Sequence, residues 1–163
     1  MSKKSPSVAA ASAGHDVRVS RARLVELLNE DLAREYQAII AYVVYSQVIK
    51  GAAYMSIAQD LETHAGEELR HAIIIAKQID YLGGAPTVTP NTVKTSTKAE
   101  AMLRFDLQNE TDTIKAYRDR VRQCEALGEF AMAEHLRAIL MDEQSHQIDL
   151  ATALGEAPPD MTD

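Results

Sequence analysis

The sequence predicts an all-α fold, a four-helix bundle in which a long crossover joins the second helix to the third. Three observations predict it. Glycine and proline are scarce, at seven and five in 163 residues, so long stretches can stay helical. Apolar residues recur at helical spacing in four of those stretches. One pattern of glutamates and histidines also occurs twice, once in each half of the chain, as though two helix pairs followed one plan.

The first helix is expected over residues 21–50, with Ser20 as its N-cap and Gly51 after its end. The second spans 53–82 and stops at Gly83-Gly84. The third starts after Thr97, where Thr97-Lys98-Ala99-Glu100 reads as a capping box, and ends near Leu127 before Gly128. The fourth runs over 129–154, and Gly155 with Pro158-Pro159 ends it. Short links at Gly51-Ala52 and Gly128 make antiparallel neighbours within each pair. The middle link runs from Gly83 to Ser96 and contains Pro86 and Pro90. A helix of ~30 residues is ~45 Å long, and the link, fully extended, reaches ~46–50 Å. It can therefore run the length of the bundle and leave the second and third helices parallel. Its threonines, valines and prolines favour extended chain over a floppy surface loop. The chain divides into a flexible tail over 1–19, one bundle domain over 20–155 and a short C-terminal tail over 156–163.

Composition narrows the function. Apolar residues make up 46% and charged residues 25%, as in an ordinary soluble domain. No run approaches the ~20 apolar residues of a membrane span. The net charge of −7 argues against a nucleic-acid surface and suits a protein that attracts cations. The tail's Lys3 and Lys4 are too few to reverse that. A lone cysteine, Cys124, excludes an internal disulfide and a zinc ribbon; it reads as a small core residue in a cytoplasmic protein. The N-terminus lacks the apolar core of a secretory signal.

The repeated pattern carries the chemistry. Glu-x-x-His occurs twice, as Glu68-Leu69-Arg70-His71 and Glu143-Gln144-Ser145-His146. Each is preceded by a glutamate at the same distance upstream, Glu35 and Glu110. Tyr42 and Tyr117 repeat as well, as do Asp31-Leu32 and Asp106-Leu107. Residues three apart share a helical face, and these acids and histidines fall on apolar stripes: Leu28, Glu35 and Tyr42; Leu61, Glu68 and Ile75; Leu107, Glu110 and Ile114; Leu136, Glu143 and Leu150. Four carboxylates facing one core need compensation. Two divalent cations supply it; the competing explanation is pairing with Arg34, Arg70 or Arg104. Oxygen and imidazole donors without thiolates suit iron or manganese. His64 and Glu67, just before Glu68, stand where a cation could enter or leave, although His64 is more simply a packed histidine. His135 reads as a surface residue. Ile40, Val43, Val44, Ile73 and Ile74 widen the apolar faces of the first two helices, as contacts between copies of the chain would require.

Residues 21 to 154 resemble bacterioferritin and its non-haem, ferritin-like relatives. The likeness rests on EELRHAIIIAKQIDYLGGAP, MLRFDLQNE and MDEQSHQIDL. One glutamate from each of two helices and Glu-x-x-His from each of the others is the known plan of ferritin-like di-iron proteins. The resemblance implies two iron ions per subunit, bridged by Glu68 and Glu143. Glu35 with His71, and Glu110 with His146, would be terminal to one iron each. Tyr42 matches a tyrosine beside the centre. Bacterioferritin carries a haem-ligating methionine where this chain has Leu69, which argues against haem. Only the segment from Gly155 to Asp163 follows the fourth helix, too short for the fifth helix of 24-subunit cages, so a 12-subunit cage of the Dps-like kind stands beside a 24-subunit one. The implied activity is ferroxidase chemistry with iron storage, with O2 or H2O2 as oxidant. Two alternatives remain open. One is a rubrerythrin-like peroxidase or manganese catalase, against which Thr113 replaces an expected extra glutamate. The other is a Dps-like DNA-protecting shell.

Overall fold

The computed structural model describes residues 17–162. Most of the expected N-terminal tail, with Lys3, Lys4 and His15, lies outside the described residues. Four helices form: α1 (Arg21–Val48), α2 (Met55–Tyr81), α3 (Ala99–Ala126) and α4 (Phe130–Leu154). There is no strand among the described residues.

Ser20 caps α1 as expected: its hydroxyl accepts from the Arg23 N–H at 3.1 Å. The α1–α2 link is longer than predicted. The first helix ends at Val48, and a 3₁₀ turn over Ala52–Tyr54 precedes α2. At the far end of α2 the chain closes in a Schellman turn. The Gly84 N–H reaches back to the Ile79 carbonyl at 2.9 Å and the Gly83 N–H to the Asp80 carbonyl at 2.8 Å. Gly83 has φ +84°, and a Cβ on Gly84 would sit 2.4 Å from Val25 Cγ1. Both glycines are therefore required, one for its dihedral and one for the close approach to α1.

The capping box at Thr97 does not form. Helix α3 starts one residue later, with Lys98 as an N-cap that makes no side-chain cap bond. The Ser96 hydroxyl accepts from the Lys98 N–H at 3.1 Å, and Glu100 turns to Arg104 at 3.0 Å. The Ser96 hydroxyl instead satisfies the Lys98 N–H ahead of the helix, and no side chain caps α3.

The crossover is anchored along α1. Asn29 accepts from the Thr87 N–H at 2.7 Å and donates to the Ala85 carbonyl at 3.2 Å. Further along, the Asn91 N–H donates to the Ala33 carbonyl at 3.0 Å and Gln37 donates to the Thr92 carbonyl at 2.9 Å. The Tyr45 hydroxyl bonds the Lys94 carbonyl. The link thus travels from the start of α1 to its end, and α2 and α3 run parallel.

Two apolar clusters fill the bundle. One gathers Leu24, Leu28, Leu32, Ile75, Ile79 and Leu136. The other gathers Tyr45, Ile57, Leu61, Leu103, Leu107 and Leu150. Cys124 is fully buried in the first cluster, and His135 is exposed. Ile40, Val43, Val44 and Ile73 are exposed, but Ile74 turns inward and packs on the first cluster. Between the two clusters all four helices contribute polar side chains.

Candidate metal centre

The predicted acids and histidines converge at that level. Glu35, Glu68, His71, Glu110, Glu143 and His146 are each no more than 3% exposed. Their donor atoms fall into two groups, each drawn within 4.8 Å. One holds Glu35, Glu68, His71 and Glu143; the other holds Glu68, Glu110, Glu143 and His146. Glu68 and Glu143 belong to both.

Their orientations explain the sharing. The Nδ1 of His71 lies 3.3 Å from Glu68 Oε2, 3.2 Å from Glu143 Oε1 and 3.5 Å from Glu35 Oε2. The Nδ1 of His146 lies 2.9 Å from Glu68 Oε1, 3.6 Å from Glu143 Oε2 and 3.9 Å from Glu110 Oε1. Each shared glutamate thus turns one oxygen to each half. Such a set can hold two cations side by side.

The surrounding residues repeat too. The Tyr42 hydroxyl donates to Glu110 Oε1, and the Tyr117 hydroxyl donates to Glu35 Oε1. Tyr117 is therefore the full counterpart of Tyr42, as their matching places in the repeat had indicated. The outer nitrogens of the histidines are held across the α2–α4 interface. His71 Nε2 lies 3.1 Å from Asp142 Oδ2, and His146 Nε2 lies 2.9 Å from Glu67 Oε2. Carboxylates in that position fix the ring and leave Nδ1 for a cation. Asp142 was missed from sequence, yet its signal was present: an acidic residue precedes both Glu68 and Glu143.

The arginines do not neutralise these glutamates. Arg34 bonds Asp31, Arg70 lies 3.2 Å from Glu67, and Arg104 pairs with Glu100 and Glu156. The charge is carried inside the centre. Burial, followed by the Glu35 charge, pushes the Glu68 carboxyl up to about 8. Burial and the Glu143 charge raise Glu110 well above the usual range. Burial opposes ionisation of Glu35 too, but hydrogen bonds with His71 and Glu68 bring it below its usual value. Both histidines are raised. Burial opposes their charge, and the surrounding glutamates outweigh it. Without metal, the imidazolium protons and retained carboxyl protons balance the site, and a cation must displace them.

His64 is buried at 4% exposure. Its ring stacks on His146 at 4.0 Å between centroids and meets Tyr42 edge-on at 5.5 Å. Burial, then the neighbouring His146, lowers it to about 4. On the opposite side a cavity of about 280 Å³ reaches Glu35, Glu68, Glu110 and Glu143. Arg34, Asn91 and Asn109 also line it. The centre is thus reachable between α1 and α3 while α2 and α4 cover its histidines.

The profile of the ferritin-like domain matches residues 25–158. The bacterioferritin of Desulfovibrio desulfuricans is 30% identical over 127 residues, covering 77% of this chain and 71% of its own. That of Brucella melitensis is 25% identical over 141 residues, covering 82% and 88%. Among solved structures, a ferritin-like di-iron-carboxylate protein of Bacillus anthracis superposes with TM-score 0.79 at 35% identity, covering 86% of this chain and 99% of that one. A dodecameric thioferritin of Bacteroides fragilis gives TM-score 0.77 at 24% identity, over 84% and 87%, which shows likeness of fold.

Proposed function

The chain belongs to the ferritin-like family, and on that basis we propose that it is a ferroxidase that oxidises Fe(II) and stores the product. The observation that supports this best is the membership of Glu68 and Glu143 in both donor groups. A pair of cations sharing two carboxylates can give up one electron each to a single two-electron oxidant, O2 or H2O2. The irons are the substrate and carry the redox chemistry.

The protein's part is geometry and charge. Glu35 and His71 would hold one ion, Glu110 and His146 the other, with Glu68 and Glu143 between them. Tyr117 and Tyr42 orient the terminal glutamates through their hydroxyls. Burial pushes both phenols well above their ordinary value, so they stay protonated donors. Asp142 and Glu67 fix the histidine rings. The two apolar clusters keep bulk water from either end of the centre. Fe(II) and oxidant would use the cavity between α1 and α3.

Storage needs a shell. Ile40, Val43, Leu69 and Ile73 are 41–53% exposed, and copies of the chain would cover these apolar side chains. The half-exposed Leu69 also offers no sulfur to a haem. Aerobic Fe(II) loading with iron counted per subunit and the assembly mass measured tests the whole reading. We expect a large oligomer holding far more than two irons per subunit, with fast oxidation abolished in Glu68→Ala and Glu143→Ala. Rapid peroxide dismutation without iron accumulation would overturn storage. Unchanged oxidation kinetics in both variants would overturn the site.

A further inference from the structure

The six candidate ligands obey the internal repeat, but the charges around them do not. Asp31, one helical turn before Glu35, is fully buried. Its Oδ2 accepts from Arg120 Nε at 2.6 Å and its Oδ1 from Arg120 Nη2 at 3.1 Å. Arg34 Nη2 bonds the same carboxylate. Asp31 is thus fully neutralised by two guanidinium groups on the Glu35–His71 side, where Glu30 also acts on Arg120.

Asp106 is the counterpart of Asp31, one turn before Glu110, and is 2% exposed. In the repeat that pairs Glu35 with Glu110, Arg120 corresponds to Tyr45 and Arg34 to Asn109. Both cations are thus replaced by neutral side chains. The Tyr45 hydroxyl turns away to the Lys94 carbonyl, and Asp106 Oδ2 finds no hydrogen-bond partner. A second acid adds to this half. Asp149 lies 3.4 Å from His64, the ring stacked on His146, and its counterpart in the other half is Ile74.

We infer that the two metal positions are unequal and that the Glu110–His146 position binds divalent cations more tightly, with Asp106 as the positioning residue that sets the difference. This rests on the two-ion reading above. A buried charge within ~8 Å of a divalent ion changes its affinity by about tenfold or more, even at an effective dielectric of ~20. In the first half the buried carboxylate is already neutralised by its two arginines and adds no attraction for a cation. In the second half burial, then the Glu110 charge, holds the Asp106 carboxyl well above its usual value, so it is protonated without metal. With no arginine to neutralise it, its Oδ2 is free to gain a cation's attraction once that cation draws the proton off.

Anaerobic titration of the full-length protein with Co(II), followed by calorimetry and by the visible Co(II) spectrum, tests this. The expected result is two ions per subunit in two steps, the first about tenfold or more tighter. His146→Ala should remove the tight step and His71→Ala the weak one. Asp106→Asn, nearly the same shape, should weaken the first step several-fold and leave the second unchanged, a selectivity that a general loss of structure would not produce. Two equal steps, or loss of the tight step with His71→Ala, would overturn the inference while leaving two ions per subunit in place. Fewer than two ions in the unmodified protein would instead overturn the two-ion reading.

Discussion

Asp31 and Asp106 occupy the same position in the two halves of one bundle, yet the first sits between two arginines and the second has Tyr45 and Asn109 in their place. The candidate donors match in both halves, where four carboxylates and two imidazoles meet at one place. The charges one turn away do not match. They only have to satisfy local burial, and two different solutions do so. The lesson is that approximate two-fold symmetry in a set of candidate donors need not extend to the charges around it.

The largest effect should come from breaking the paired half. Arg120→Ala leaves Asp31 buried with an incomplete partner and should cost about 3–5 kcal/mol by denaturant unfolding of the metal-free protein. Asp106→Leu, the matching cut in the other half, should cost far less or stabilise, since it removes a poorly satisfied polar group. Equal losses in the two variants would dissolve the contrast.

A second test uses pH. Glu68 has its carboxyl raised from 4.5 to about 8, so the folded protein holds a proton there that the unfolded chain has lost. Its stabilising contribution is therefore full below pH 4.5 and disappears as pH rises to about 8. His71 and His146, both raised, act with the same sign from pH 6.5 upward. The metal-free protein should lose stability between about pH 6.5 and 8, above the range in which His64, lowered to about 4, gives the opposite slope, and Co(II) affinity should rise over the same interval. Thermal unfolding across pH, with and without the ion, checks both slopes. A metal-free protein that grows more stable over this interval would contradict the assigned directions.

The smallest test concerns backbone. Gly66 lies inside α2 with open space where a Cβ would go, while its counterpart in α4 is Met141. Gly66→Ala should stabilise by up to about 1 kcal/mol. Gly84→Ala should destabilise by about 1–3 kcal/mol, because Val25 stands in the way. Thermal unfolding of the two variants should therefore move in opposite directions.

The number of helices, their parallel and antiparallel order and the six candidate donors of the centre were all legible in the sequence. Those properties belong to single helices and to chain length. The helical period places Glu68 and His71 on one face whatever the neighbours do, and the segment from Gly83 to Ser96 can span the bundle only when extended. Tertiary structure settled which atoms meet between helices. That Glu68 and Glu143 each serve both halves, that Tyr42 reaches Glu110 while Tyr117 reaches Glu35, and that Asp142 holds His71 depend on how far each helix is rotated and how closely it approaches its neighbours. So does the Asp31–Arg120 pair. Rotation and approach are set by the joint packing of two apolar clusters, a property of all four helices together that no single segment encodes.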